Sequence, residues 1–426
     1  MPCDALKAAG FGDRVLYSGQ QNYEDRINSY WSVTAQLRPQ CLLQPTNADE
    51  VSLVVNTLVS TNSSVEQGCQ FAVRSGGHTE RPGAANIEDG VTVDLGLMNA
   101  TVYNSENGSA SVQPGARWAS VYKALEEHDV AVAGGRSATV GVGGFVLGGG
   151  ISFWSMRQGW VCDNVKNFEV VLASGEIVNA NKHTNTDLFK VLKGGSNNFG
   201  IVTRIDLPTF EQQKLWGGHV TYPFSTAPQQ LRALVGFVND LDHDSDAAAI
   251  VSLWYSSKQG RKFVTNSYEY TKPVERPAIF QNFLAVPGNL SDSTRFTYVR
   301  GLAEQFEEKL GLCNSFTTLT FQNDERVLSK DQSKKDMFQA AASQFVSDIE
   351  EFALSIGKDS PFKYLNYAHQ DQNPLATYGA ENIAKMHAAS AKYDPKGIFQ
   401  TMVSGGFKVS KVHEGGPYHV FSDGEL

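Results

Sequence analysis

Residues 134–150 read GGRSATVGVGGFVLGGG, and the purpose of that run decides the fold. It holds eight glycines in seventeen positions. Val140, Val142, Phe145, Val146 and Leu147 thread apolar bulk through it, and the serine- or glutamine-rich monotony of a flexible linker is absent. Glycine at this density lets a backbone approach a flat or phosphorylated ligand without a Cβ clash. A second glycine-rich stretch, KGGSNNFG, follows at 193–200, and an earlier one lies in FAVRSGGHTE, residues 71–80. There an apolar run ends at Arg74, turns through Ser75, Gly76 and Gly77, and leaves His78 just beyond. By itself that is also the pattern of a tight turn carrying a surface histidine. Three such segments in the first 200 residues point to one ligand, because glycine-rich backbone can form a nest of N–H donors for phosphate oxygens. The spacing is not that of a Rossmann fingerprint, and no GxxxxGK[ST] loop is present. The segments therefore imply a nucleotide-like cofactor in a fold of another kind.

Composition sets the frame. A chain of 426 residues with 41% hydrophobic content can bury large cores in two or three domain-sized units. Net charge is −9 and lysine and arginine do not cluster, which argues against nucleic acid or an anionic membrane as partner. No apolar run reaches the ~18–20 residues needed to span a bilayer. The opening MPCDALKAAG has no apolar signal core, so the chain is intracellular or an export signal has been replaced by a starting Met. Cys3, Cys41, Cys69, Cys162 and Cys313 form no CxxC pair, so no metal site is expected. Cys41 and Cys69 each open a β-like run; either they bridge across adjacent strands or both are buried thiols. Sequons at Asn62, Asn99, Asn107 and Asn289 lean towards a secreted or vesicular protein, with a cytoplasmic location as the alternative.

Texture divides the chain. Up to residue 207 it is mixed α and β, with a helix over 47–60, a strand in GVTVDLG, a helix over 118–130, and a hairpin over 168–180 turning at Ser174-Gly175. Over 208–374 longer strands (AAAIVSLWYSS, RKFVTNSYEYT) and amphipathic helices around 299–311 and 334–356 suggest an antiparallel sheet backed by helices. From 375 to 426 a helix, a break at Asp394-Pro395 and a tail are expected to return to the first unit. The expected fold class is α+β, with residues 1–207 and 375–426 forming one unit and 208–374 a second, above it. A ligand site is expected between them.

Six ordered segments then carry a resemblance: FAVRSGGHT, VTVDLGLMN, SVQPGARWASVYKAL, the stretch from Gly134 to Asn181, DLFKVLKGGSNNFGIVTRIDL and the terminal YDPKGIFQ. Together they resemble the berberine-bridge-enzyme-like FAD-linked oxidases of the vanillyl-alcohol oxidase superfamily, whose FAD-binding domain is of the PCMH type, and fungal members above all. The resemblance is dense over residues 35–207 and 360–407. It implies a two-part FAD-binding domain, with its core over about 37–207, beside a substrate domain. It also implies FAD attached through the 8α position to His78. Arg74, Ser75, Gly76, Gly77 and Thr79 match the loop around the pyrophosphate. Val140, Gly141, Val142, Gly143, Gly144, Gly148, Gly149 and Gly150 match the segment beside the isoalloxazine and ribityl chain, with Val140 at the position associated with oxygen access. Asn198, Gly200, Ile201 and Val202 match the strand under the adenine half. Where many relatives carry a second flavin-linking cysteine this chain has Ser137, which cannot form a thioether, so the link runs through His78 only.

The segment KYLNYAHQD, 363–371, resembles the strand before the final helix in the group. Residues two apart on a strand share a face, so Tyr364 and Asn366 are expected to point towards the flavin and Leu365 and Tyr367 away. Tyr364 is the first candidate for the catalytic base or hydrogen-bonding group; as a base, a phenol of pKa ~10 needs a cationic or hydrogen-bonded neighbour. Tyr367 and His369 are further candidates, and packing roles are the alternative for all three. The function implied is an FAD-dependent oxidase passing hydride from an alcohol or amine of a secondary metabolite to the flavin, with O2 as re-oxidant giving H2O2. A carbohydrate oxidase is the alternative within the family, calling for an open groove with aromatic and acidic residues, to which Trp254, Tyr255 or Phe263 would belong. A flavin-binding protein or cyclase without net redox turnover is the alternative outside it. The expected partners are a small-molecule substrate and O2, and the expected state a monomer.

Overall fold

The computed structural model describes residues 1–62, 69–307, 309–330 and 339–412. Three sheets organise it. The first has four strands in the order Val15–Leu16, Cys41–Leu43, Val91–Asp94, Phe71–Arg74, the last three parallel. Cys41–Leu43 and Val91–Asp94 are buried at every position, as parallel strands covered on both faces require. The helix Ala48–Asn62 connects two of them and buries Val51, Val54, Val55 and Leu58 at helical spacing. The second sheet is antiparallel: Thr101–Asn104, Ser109–Val112, Ile201–Pro208, Asn167–Val171, Ile177–Asn181. Its last two strands form the expected hairpin, with Val170 opposite Val178 and Gly175 at φ +81° in the turn.

The third sheet carries Ala247–Ser256, Arg261–Tyr270, Leu215–Pro223 and Ser291–Asp292 in that order, with Arg295–Thr297 also paired to Leu215–Pro223. Period-two alternation splits its faces. Trp216, Val220, Tyr222, Val264, Tyr268 and Tyr270 pack with Phe237, Phe280 and Phe283 from the helices behind. His219, Thr221, Ile250, Ser252, Thr265 and Ser267 turn the other way, into a cavity. The expected helix at 299–311 is only Val299–Gln305, and that at 118–130 is Trp118–Glu126. The later helix is Gln339–Ser355; the expected start at 334–338 lies outside the described residues, as do 413–426. The helix Ala380–Tyr393 stops before Asp394-Pro395, and both Asp394 carboxylate oxygens accept backbone N–H bonds from Ile398 and Phe399 at 2.7 Å. Ile398, Phe399, Met402 and Val403 pack into the core of the first sheet.

Of the two alternatives for Cys41 and Cys69, the buried thiol holds for Cys69 and neither holds for Cys41. Cys41 bridges Cys3, not Cys69. The strands that follow Cys41 and Cys69 lie on opposite sides of Val91–Asp94, which sets them two strand spacings, about 10 Å, apart and beyond disulfide reach. Cys69 is a buried thiol whose pKa burial pushes up to about 11. Asn99, Asn107 and Asn289 are exposed, and the side chain of Asn62 lies outside the described residues. Among the described residues no helix is long and apolar enough to cross a membrane, and no group of His, Cys, Asp and Glu side chains could hold a metal ion.

Candidate active site

The strand Phe71–Arg74 delivers Ser75, Gly76, Gly77 and His78 to the wall of a cavity of about 750 Å³. The loop is held backbone to backbone. A Cβ on Gly76 would lie 2.4 Å from the Gly141 Cα, and one on Gly141 would lie 2.4 Å from the Gly76 Cα, so neither position admits a side chain. Ser75 Oγ donates to Pro114 O and accepts from Gly143 N at 3.1 Å. Arg117 ties the two loops by donating to Gly76 O at 2.8 Å and to Thr139 O. His78 is clamped in turn. Its Nε2 meets Thr139 Oγ1 at 3.2 Å, and its ring stacks on Trp31 at 4.6 Å. Burial, followed by the Arg117 charge, lowers the His78 pKa to about 4, which leaves a neutral imidazole at pH 7.

Several expected cofactor residues line this wall: Ser75, Gly76, Gly77, Thr79, Ser137, Val140, Gly141, Gly143, Gly144, Gly200, Ile201 and Val202. Others do not. Arg74 is fully buried behind the loop, donates to Arg26 O and Ser29 Oγ at 2.6 and 2.7 Å, and lies over the Tyr30 ring; it braces the turn and does not reach the cavity. Asn198 is fully buried as well. Its amide donates to Gly195 O and Phe407 O and accepts from Val409 N, so it fastens the C-terminal return to the second sheet. The Val142 and Gly143 amides are spent on Ala116 O and Pro114 O. Gly148, Gly149 and Gly150 stand behind the wall as a seat for other residues. A Cβ on Gly148 would fall 1.9 Å from Asn366 Oδ1, and Gly149, at φ +112°, faces the Trp160 and Tyr364 rings.

Opposite this seat the expected strand at 363–371 is a 3-10 turn, Leu365–Tyr367. The two-residue face rule therefore fails, and Tyr364, Leu365, Asn366 and Tyr367 all border the cavity. Asn366 Nδ2 donates to Tyr364 Oη at 2.9 Å and to Phe145 O at 3.1 Å. Tyr364 stacks on Trp160 at 5.1 Å and meets the Tyr367 ring edge-on at 4.9 Å. Burial is the largest influence on the Tyr364 phenol and raises its pKa well above the ordinary value, against the opposing pull of Asn366 and Arg136. The group is thus a protonated donor and not a resting base. His369 lies off the cavity, with Nδ1 3.0 Å from Asp371 Oδ2. Trp254 stacks on Phe263 at 4.7 Å, and neither these two nor Tyr255 borders the cavity.

Sequence reasoning missed Trp31, Arg81, Arg117, Arg136, Thr139, Trp160 and Phe316. Arg136 had a readable signal, a lone cation inside a glycine-rich apolar run. Trp31 and Phe316 had none. They meet, stacked at 5.6 Å, because Trp31 O accepts from Gly311 N and Ser32 Oγ accepts from Asn314 N across 280 residues of sequence.

A diphosphate dinucleotide with a flat ring system fits these walls. Arg81 borders the cavity with its Nε and Nη1 buried and unbonded to protein, and the Ser137 hydroxyl is in the same condition. Cys162 is packed in the core, off the cavity, and burial pushes its pKa up to about 12, so it offers no second thiolate. The family model described as an FAD binding domain matches residues 39–181. The FAD-dependent monooxygenase drtC of Aspergillus calidoustus is 34% identical over 96% of this chain and 90% of its own length. Among solved structures, 6-hydroxy-D-nicotine oxidase from Arthrobacter nicotinovorans superposes with a TM-score of 0.75 at 19% identity, covering 90% of this chain and 96% of that one. The glucooligosaccharide oxidase of Acremonium strictum, whose structure is described as holding 6-S-cysteinyl, 8α-N1-histidyl FAD, gives 0.74 at 18%, covering 93% and 97%. The fold is that of the PCMH-type FAD oxidases, and by its FAD-binding domain and its end-to-end likeness to the fungal enzyme, the chain belongs to the berberine-bridge-like family of FAD-binding oxidoreductases.

Proposed function

We propose that the protein is an FAD-dependent oxidase that removes two electrons and two protons from an alcohol or amine of a secondary metabolite, with O2 as re-oxidant giving H2O2. One observation carries the reading: a single cavity has the neutral His78 imidazole and the crossed glycine loops on one wall, and the Tyr364–Asn366–Tyr367 turn and a polar sheet face on another. The flavin, once bound, supplies the two-electron acceptor. His78, uncharged and held by Thr139 and Trp31, is the attachment point, and Ser137 leaves it the sole one. Arg81 holds the anionic part of the cofactor. Tyr364, oriented by Asn366, donates a hydrogen bond to the oxidised substrate group and fixes its approach. Val140, which borders the cavity, is read as the residue that admits oxygen. The reading favours a secondary metabolite over a sugar because the carboxylates on the cavity wall are limited, among the described residues, to Glu80 and Glu307, and the exposed Trp254 and Tyr255 lie outside it. Residues 1–207 and 375–426 act as the cofactor unit and 208–374 as the substrate unit.

A second reading is monooxygenation, favoured by the name of the Aspergillus calidoustus relative. Turnover under ¹⁸O2 separates the two: stoichiometric H2O2 and unlabelled product fit the oxidase, while labelled product overturns it. The link is tested by His78→Ala, which should release all flavin on acid precipitation while leaving the fold intact. Acid-stable flavin in that variant sinks the assignment.

A further inference from the structure

Charge is unevenly placed around the cavity. Arg81 and Glu80 stand near His78, and Glu307, the other carboxylate on the wall, acts on Arg117 behind the same loop, whereas on the wall with Tyr367 and the third sheet the guanidinium is that of Arg136. Its Nη2 donates to Tyr367 Oη at 3.1 Å, and among the described residues it makes no ion pair. The sheet face beside it runs in rows: Thr221, Thr265 and Ser252, then His219, Ser267 and Ile250, then Gly217, Glu269 and Ala248. The first two rows border the cavity and are uncharged. His219 is bonded through Nδ1 to Ser267 Oγ and through Nε2 to Gln305 O, and burial lowers its pKa, so it stays neutral.

In the third row Glu269 lies between a glycine and an alanine, fully buried, with neither carboxylate oxygen bonded to any described residue. A buried unpaired carboxylate is costly, and such a group keeps its proton instead. Burial raises the Glu269 pKa to about 8, with the Arg136 charge pulling the other way. At pH 7 the carboxyl is therefore mostly neutral and does not cancel the Arg136 cation. The surrounding surface is aromatic, with Phe145, Phe306, Phe316 and Tyr367 on the cavity wall.

Resting on the oxidase reading and refining its substrate class, we propose that Arg136 is a specificity residue that receives the anionic group of a flat aromatic acid, a carboxylate or ionised phenol, with Glu269 as a positioning residue behind it. A guanidinium suits this task because its planar fork pairs with a carboxylate and stacks on rings. A site built to bond a charged group discriminates strongly against the analogue lacking it. The groups facing the pair are the Tyr367 hydroxyl, bonded to Arg136, and the Tyr364 phenol, which feels the Arg136 charge and stays protonated. Glu269 is thus the group that titrates between pH 7 and 9. As it ionises, it becomes an internal counter-ion and the acid should bind more weakly.

Titration calorimetry on the purified holoprotein tests this with 2-naphthoate, which is ionised throughout that range, against 2-naphthylmethanol and cellobiose. We expect 2-naphthoate to bind at least about 10-fold tighter than either at pH 7. Arg136→Met should weaken naphthoate about 10–100-fold and the alcohol less than threefold, and Arg136→Lys should recover part of the loss. Glu269→Gln should keep the pH 7 affinity and abolish the decline between pH 7 and 9. Equal binding of acid and alcohol, or tighter binding of cellobiose, overturns the proposal; an unchanged pH decline in Glu269→Gln removes the positioning role. A colourless protein that still selects naphthoate breaks the oxidase reading alone, and a yellow oxidase that does not select it breaks this one alone.

Discussion

The two walls of the cavity are built by different means. The wall carrying His78 is made by main chain: Gly76 and Gly141 cross at van der Waals contact, Ser75 and Arg117 bond to carbonyls and amides, and side chains are mostly absent. The wall carrying Tyr364 and the third sheet is made by side chains from distant stretches, namely His219, Ser267, Arg136 and the 364–367 turn, meeting through single hydrogen bonds and ring contacts. A backbone-built wall tolerates almost no substitution and holds a constant ligand. A side-chain-built wall can exchange one residue for another and so accept a different molecule on the same frame. Gly148 belongs to both, since its missing Cβ makes room for Asn366.

That contrast is broken or sharpened by three substitutions. The largest effect is expected on the main-chain wall. Gly141→Ala places a methyl group 2.4 Å from the Gly76 Cα, and backbone cannot step aside as a flexible side chain can. The variant should yield no yellow folded protein, judged by the ratio of flavin to protein absorbance and by circular dichroism; a normal flavin content there removes the contrast at its root. On the opposite wall Tyr364→Phe deletes one hydroxyl and almost no volume. Stopped-flow bleaching by substrate should slow by about 10²-fold, the lower end of the scale for removing a preorganised hydrogen-bond donor from the reacting group, while flavin content and melting temperature stay put. An unchanged bleaching rate passes the role to Tyr367. The smallest effect is expected in the sheet rows. Thr265→Val loses the hydrogen bonds to Thr221 Oγ1 and Trp254 Nε1, both 3.0 Å, and should shift substrate affinity by about 2–10-fold with the rate at saturation preserved. A shift as large as that of Tyr364→Phe would make the two positions equivalent.

The same division explains what was legible in the sequence. Backbone crossing leaves a local mark, because it requires glycine at fixed positions, and GGRSATVGVGG and RSGGH could be read from their spelling alone. Side-chain assembly leaves none. Nothing near Trp31 announces that it will stack on His78, since the contact depends on the Trp31 amide reaching Gly77 O, 46 residues away in sequence, at 3.0 Å. The cysteine alternatives stayed open for a related reason: strand content around Cys41 and Cys69 was visible, but strand order, which inserts Val91–Asp94 between them, and the approach of Cys3 were not. The error at Tyr364–Tyr367 was one of local period, where a tight turn took the place of a strand and brought Tyr367 to the cavity. Arg74 and Asn198 lay in recognisable motifs, yet their side chains face inward and serve the frame.

The C-terminal return bears on biosynthesis. The strand that leads to His78 starts at Phe71, and the Phe71 amide donates to Met402 O at 2.9 Å, a partner that leaves the ribosome more than three hundred residues later. Phe399, Val403 and Gly406 complete the same wall, and the amide of Asn198 waits for Phe407 and Val409. A nascent chain that stops short of residue 398 therefore has the crossed glycine loops but not the enclosure around them. Closure of the cavity is in this way deferred until residues 398–409 have emerged.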